Sequence, residues 1–300
     1  MQTSLLFIAV LAGLGGMLGW GFSEFATKKS VDKVGAISSL VWAHVFGSAL
    51  LLIILISKVF VSHAPIGSIF PGSASAWLGL VVFGTLQATV YYFAYLAFEK
   101  GKVSVLSPIF ASFSGLVALL SVTVFGEVLH LSLVPALVLI FGGVMLINLD
   151  WEHLKARRIR IAMVPGLKEI LIATVLATVW TLGWDKFSGN EDWIVYTTFM
   201  FVFMSIAAYV IARRAKVTLM DVPVGTWKFL WLIAIGEVVA YLAITLGYAT
   251  TPYTSVVAIL SGASSLPTIV LARIFLKERV ARSQVVASII IIIGIVLLSV

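Results

Sequence analysis

An acid in the middle of an apolar run is the first residue of this 300-residue chain that could do chemistry. The run is Thr226–Thr250, TWKFLWLIAIGEVVAYLAITLGYAT, and the acid is Glu237. A charged side chain at bilayer depth costs about 2.5–3.5 kcal/mol on insertion scales, so it needs a partner or a watery cavity. There a carboxyl can hold and release a proton, or meet an amine on a solute. Tyr241 follows at i+4, and Thr245 and Tyr248 lie near the same helical face. The pattern recurs 150 residues earlier, with Gln87 in place of Glu237, Tyr91 in place of Tyr241 and Phe98 in place of Tyr248. Tyr95 adds one more i+4 step, and His44 is a second polar group inside an apolar run. The predicted substrate-binding or coupling set is therefore Glu237, Gln87, Tyr91, Tyr95, Tyr241 and His44. The plainer reading of each is interhelical hydrogen bonding or aromatic packing.

Other polar and aromatic residues carry structural expectations. Trp20, Trp180 and Trp184 suit an interfacial belt or a cavity mouth, the belt being the default. Glu24 and Asp185, late in their segments, are placed near the surfaces. Glu127 and Glu278 at helix-ending turns read as structural. The GLGGMLGWG run (13–21) reads as a close-packing face, and Pro267 predicts a mid-helix kink.

The elements that must position these groups are membrane helices. The chain is 61% hydrophobic and 11% charged, where soluble domains carry about 25% charge. Ten apolar segments follow: 4–26, 35–57, 75–98, 103–125, 129–149, 166–187, 193–212, 227–249, 253–276 and 280–299. Their lengths suit helices crossing about 30 Å of hydrocarbon, and no ten-residue alternation points to a barrel. Cysteine is absent, the four histidines lack metal-ligand spacing, and no phosphate loop or H-E-x-x-H motif occurs. An enzyme, a cofactor and a metal are therefore not expected. The opening MQTSLLF lacks a signal peptide's basic region, so the first segment is expected to stay in place. The net charge of +7 belongs to membrane loops rather than to nucleic-acid binding.

The two halves match each other. Residues 103–149, shifted by 151, fall on 254–300 without a gap, pairing Ser114 with Ser265, Glu127 with Glu278 and Gly143 with Gly294. The predicted fold is all-α integral membrane, with ten transmembrane helices as two inverted five-helix repeats, 1–150 and 166–300, joined by a basic linker, 151–165. Five helices per half turn the second half upside down, and such inverted repeats place a substrate site at their interface. Of 20 Lys and Arg, 18 fall in alternate loops and only Lys58 and Lys186 on the other side. The positive-inside rule puts those 18 in the cytoplasm and both termini outside a multi-pass cell-membrane protein.

Three stretches resemble a known family: GMLGWGFSEFATKK (16–29), SVLSPIFASFSGLVALLSVTVFGE (104–127) and TSVVAILSGASSLPTIVLARIFLKE (254–278). They resemble the drug/metabolite transporter superfamily, specifically its ten-helix EamA-type members. The resemblance spans essentially the whole chain. It implies two inverted five-helix repeats, a central cavity, and transport of small metabolites, often export of amino acids or related compounds. Many relatives are thought to keep both termini in the cytoplasm; the charges here argue the opposite.

The expected function is a secondary transporter that moves an amino-acid-like or other neutral or zwitterionic solute by alternating access, coupled to protons. Its partners are a small-molecule substrate, protons and the lipid bilayer. The alternatives are a sugar or nucleotide-sugar carrier, or a non-transporting membrane scaffold subunit.

Overall fold

The computed structural model describes residues 2–63, 65–101, 103–147, 165–189, 191–276 and 282–298. Most of the expected linker, together with Lys102, Lys277, Glu278 and Arg279, lies outside the described residues, as do the side chains of Ser107 and Pro108. Every regular element among the described residues is helical.

The helices are α1 (Gln2–Ser62), α2 (Ala74–Lys100), α3 (Val103–Thr123), α4 (Leu133–Ile147), α5 (Leu167–Ser188), α6 (Trp193–Arg214), α7 (Trp227–Thr250), α8 (Thr254–Gly262), α9 (Ser265–Leu276) and α10 (Arg282–Leu298). Five of them, α1, α2, α5, α6 and α7, are long and apolar enough to cross a membrane; α3, α4 and α10 contain shorter apolar stretches.

Two boundaries differ from the sequence expectation. The first two apolar segments are two helices that meet end to end within α1 at Gly35, because the polar stretch after the first stays helical up to that residue. Lys28 pairs with Asp32 at i+4, 2.7 Å apart, and the chain turns only at Gly35, whose φ of 78° suits glycine. The ninth segment is broken between α8 and α9 at Ala263–Ser264. Pro267 falls in the first turn of α9, and the carbonyl four residues before it belongs to Ala263, so the expected kink takes the form of this break. Two starts are set by local capping: Ser73 accepts from the Ala76 N–H at α2, and Asp192 from those of Ile194 and Val195 at α6.

The bundle is apolar outside and partly polar within. Phe7, Leu11, Leu18 and Phe22 form an exposed stripe on α1, as do Leu171, Val175 and Val179 on α5. Buried inside are Ser23, Thr27, His44, Gln87, Thr245 and Glu237. Lipid satisfies the apolar exterior, and the polar groups must find partners within the bundle. Helix α1 packs closely on α7: a Cβ at Gly19 would stand 2.4 Å from the Gly236 carbonyl oxygen. That approach brings Ser23 against Glu237.

Helices α4 and α10 meet through a reciprocal contact. Gly143 abuts Ile291 and the Ala287 carbonyl, and Gly294 abuts Ile140 and the Ala136 carbonyl. Moving forward along one helix moves backward along the other, so the pair is antiparallel.

Candidate functional site

Two hydrogen-bonded clusters meet where α1, α2 and α7 converge. In the first, Glu237 is fully buried. Its Oε1 accepts from the Tyr95 hydroxyl at 3.0 Å and from Ser23 Oγ at 3.3 Å. Thr27 Oγ1 donates to the Tyr95 oxygen at 3.3 Å. The other oxygen, Oε2, stands 2.8 Å from His44 Nε2, close enough to pair but outside the alignment of a straight hydrogen bond. His44 Nδ1 lies 2.6 Å from the Leu40 carbonyl oxygen. A carbonyl can only accept, so the Nδ1 position carries a proton. The close Nε2–Oε2 approach then favours one further proton, on the imidazole or on the carboxyl.

In the second cluster, Tyr241 accepts from Gln87 Nε2 and donates to the Tyr91 oxygen at 3.1 Å. Gln87 Oε1 is buried without a partner. The rings of Trp20, Trp180 and Phe201 stand edge-on around Tyr241, with centroids 5.7, 5.6 and 5.0 Å away. The His44 ring lies 5.2 Å from that of Tyr91, which ties the two clusters together.

A narrow cavity of ≈ 50 Å³ runs beside both clusters, bordered by α1, α2, α3, α5 and the α8–α9 break. At roughly 10–15 Å³ per water it holds only a few. Gln87, Tyr91 and Tyr95 line it, whereas Glu237, His44 and Tyr241 stand behind the wall. Sequence reasoning identified the polar groups but not which of them face the space. Glu24, expected near a surface, lines the cavity, and Trp20 and Trp180, by default an interfacial belt, form its walls. Trp184 is fully buried, stacked on Trp180 at 5.4 Å, and donates to Thr245 Oγ1. A run of apolar residues does not say which helix lies opposite a given face, and that pairing decides these placements.

A wider vestibule of ≈ 960 Å³ opens at the ends carrying the α3–α4, α5–α6 and α7–α8 connections. Glu127, Asp185, Lys186 and Tyr248 line it. One packed cluster includes Val90, Phe113 and Ala177 of the cavity wall and Leu182 of the vestibule wall, together with Val117 and Ala258. Glu127 bridges the halves: its carboxylate accepts from the Ser255 N–H at 3.0 Å and from Ser255 Oγ at 2.5 Å. It thereby caps the start of α8, where a negative charge is favoured. Burial pushes the Glu127 carboxyl above its ordinary value against the opposing pull of these bonds. Among the described residues no cluster of three or more His, Cys, Asp and Glu suits a metal.

The EamA-like transporter family matches residues 7–149 and 165–300. The chain belongs to that family. Its members are membrane transporters of small molecules. No curated protein matches this EamA-like chain. A solved crystal structure is similar to it, at 17% identity and TM-score 0.71, over 96% of this chain and 95% of the other. That likeness concerns the fold alone.

Proposed function

We propose that this chain is a proton-coupled secondary transporter that alternates access around the narrow cavity. The observation that carries it is the Glu237–His44 pair, buried behind a cavity wall and joined to it through Tyr95. Losing the proton beside Nε2 and Oε2 leaves a carboxylate facing an imidazole lone pair, an arrangement the site cannot hold unchanged. A change at the pair therefore reaches Tyr95, Tyr91 and the cavity wall. Gln87 and Tyr241 supply fixed hydrogen bonds across the site and do not exchange protons. The solute is amino-acid-like, or otherwise neutral or zwitterionic. Because the cavity is far below the ~300–1,000 Å³ of typical ligand sites, it must widen to admit one.

The reading includes ten spans in two inverted five-helix repeats with both termini outside. The reciprocal antiparallel contact of Gly143 and Gly294 supports it, since two copies related by an axis across the helices would meet in that way. The family match in each half supports it too. The full burial of Glu237 is what favours the scaffold reading, in which the acid is interhelical glue. The unpartnered Gln87 oxygen on a cavity wall speaks for a binding role instead. No Lys or Arg lines the cavity, which weighs against nucleotide sugars.

Glu237→Gln tests the proposal, because it keeps shape and most hydrogen bonding while removing proton exchange. The variant is expected to fold and insert, and to lose pH-dependent solute flux in proteoliposomes. Flux with an unchanged rate and pH profile would mean that the acid is glue.

A further inference from the structure

The Glu237–His44 pair leaves a second carboxylate unused. Glu24 lies on α1 and, unlike Glu237, lines the cavity itself. Ser264 Oγ donates to its Oε1 at 2.7 Å and Thr268 Oγ1 to its Oε2 at 3.3 Å. These bonds fix the carboxyl without supplying a countercharge. No Lys, Arg or His lines the cavity, and among the described residues no cation pairs with Glu24. A second, independent observation points the same way. Gln87 Oε1, a buried acceptor without a partner, belongs to the same wall. The aromatic side chains of Trp20, Tyr91 and Phe110 complete it.

A carboxylate, an open carbonyl acceptor and electron-rich rings make a surface that attracts positive charge. An ammonium offers what each of them lacks: charge for Glu24, an N–H for Gln87 and a cation for the aromatic rings. A solute carboxylate or phosphate would meet Glu24 with no base to offset it; Trp20 Nε1–H, a buried donor without a partner, is neutral. Glu237 cannot take this role in the present arrangement, because it stands behind Ser23 and Tyr95 and is already paired. We infer that Glu24 is the binding carboxylate for the cationic end of the solute, and that the cavity takes organic ammonium compounds with a small apolar or aromatic body. The inference rests on the transporter reading and moves its substrate class from neutral or zwitterionic solutes to cationic ones. It also divides the labour: one carboxylate binds the solute and the other holds the exchangeable proton.

The test uses the purified full-length chain in detergent and three probes sharing one skeleton, 2-phenylethylammonium, 2-phenylethanol and 3-phenylpropanoate, titrated by calorimetry. The ammonium should bind, with the alcohol about tenfold weaker or worse and the propanoate not at all. Glu24→Gln should weaken ammonium binding by about tenfold and leave the alcohol unchanged. Should Glu24→Gln fail to fold, the wild-type chain still decides. A hydrophobic carbodiimide should label Glu24, as read by peptide mass spectrometry, and 2-phenylethylammonium but not 2-phenylethanol should slow that labelling. Equal binding of all three probes, absence of ammonium binding, an ineffective Glu24→Gln, or labelling indifferent to the ammonium each overturns the inference. None of these measurements needs turnover. Glu24-dependent binding in a protein that moves no solute in proteoliposomes would uphold this site and overturn the transporter reading.

Discussion

His44 Nε2 and Glu237 Oε2 stand 2.8 Å apart, and both side chains are wholly shielded from solvent. One residue belongs to each half of the chain. In such surroundings removing one partner is worse than removing both, because the survivor keeps its desolvation penalty.

His44→Phe is therefore expected to destabilise the protein by about 3–5 kcal/mol, the usual cost of breaking a buried pair. The double variant His44→Phe with Glu237→Leu should recover part of that loss. Thermal unfolding of the purified proteins checks it: a double variant no more stable than His44→Phe alone would deny the coupling.

The close approach of α1 and α7 sets a second expectation. A methyl group at Gly19 would stand 2.4 Å from the Gly236 carbonyl oxygen, which cannot swing away as a side chain can. Gly19→Ala should cost about 1–3 kcal/mol through overpacking. It should also slow transport, because Ser23 and Glu237 would be pushed apart. Wild-type melting and flux would refute the importance of this contact.

Glu127 makes a pH-dependent contribution outside the spans. Its folded-state value lies above the ordinary 4.5, so between the two the folded chain holds more protons than the unfolded chain. Stability from this group thus falls as pH rises from about 4.5 through the raised value, then levels off. Glu127→Gln should flatten that part of the melting profile. A wild-type minus variant difference that is constant with pH would count against it.

Orientation is checked with single cysteines at Lys28, Arg157, Arg214 and Arg279 in a chain that has no cysteine of its own. In intact cells all four should resist an impermeant thiol reagent and react after permeabilisation. Labelling of all four from outside would reverse the topology.

Much of the fold was legible because membrane helices announce themselves by length and apolarity. The ring of Gln87, Tyr91 and Tyr241 was legible from i+4 spacing and from the match between halves. The bend at Gly35 was obscured by a charged stretch that looks like a loop but is held helical by Lys28 and Asp32. The break at Ala263–Ser264 was legible from Pro267, which perturbs a helix four residues earlier, at Ala263, but the run of small residues hid that the helix parts rather than bends. Glu24 was misplaced for a different reason. Position along a helix predicts depth, but whether a side chain meets a cavity depends on the neighbouring helix, here the stretch bearing Ser264 and Thr268.

The connection between Tyr95 and Glu237 also bears on how the protein is made. Tyr95 leaves the ribosome 142 residues ahead of Glu237, and Ser23 leads it by 214. At about 5–20 residues per second, the residues that meet the acid are made roughly 7–40 seconds before it emerges. Helix α7 thus carries its costly side chain towards a receptor whose hydroxyls and imidazole have already been delivered. The first half can serve as an intramolecular insertion template for the second, and a chain synthesised in the opposite order would have to thread its acid into bare lipid.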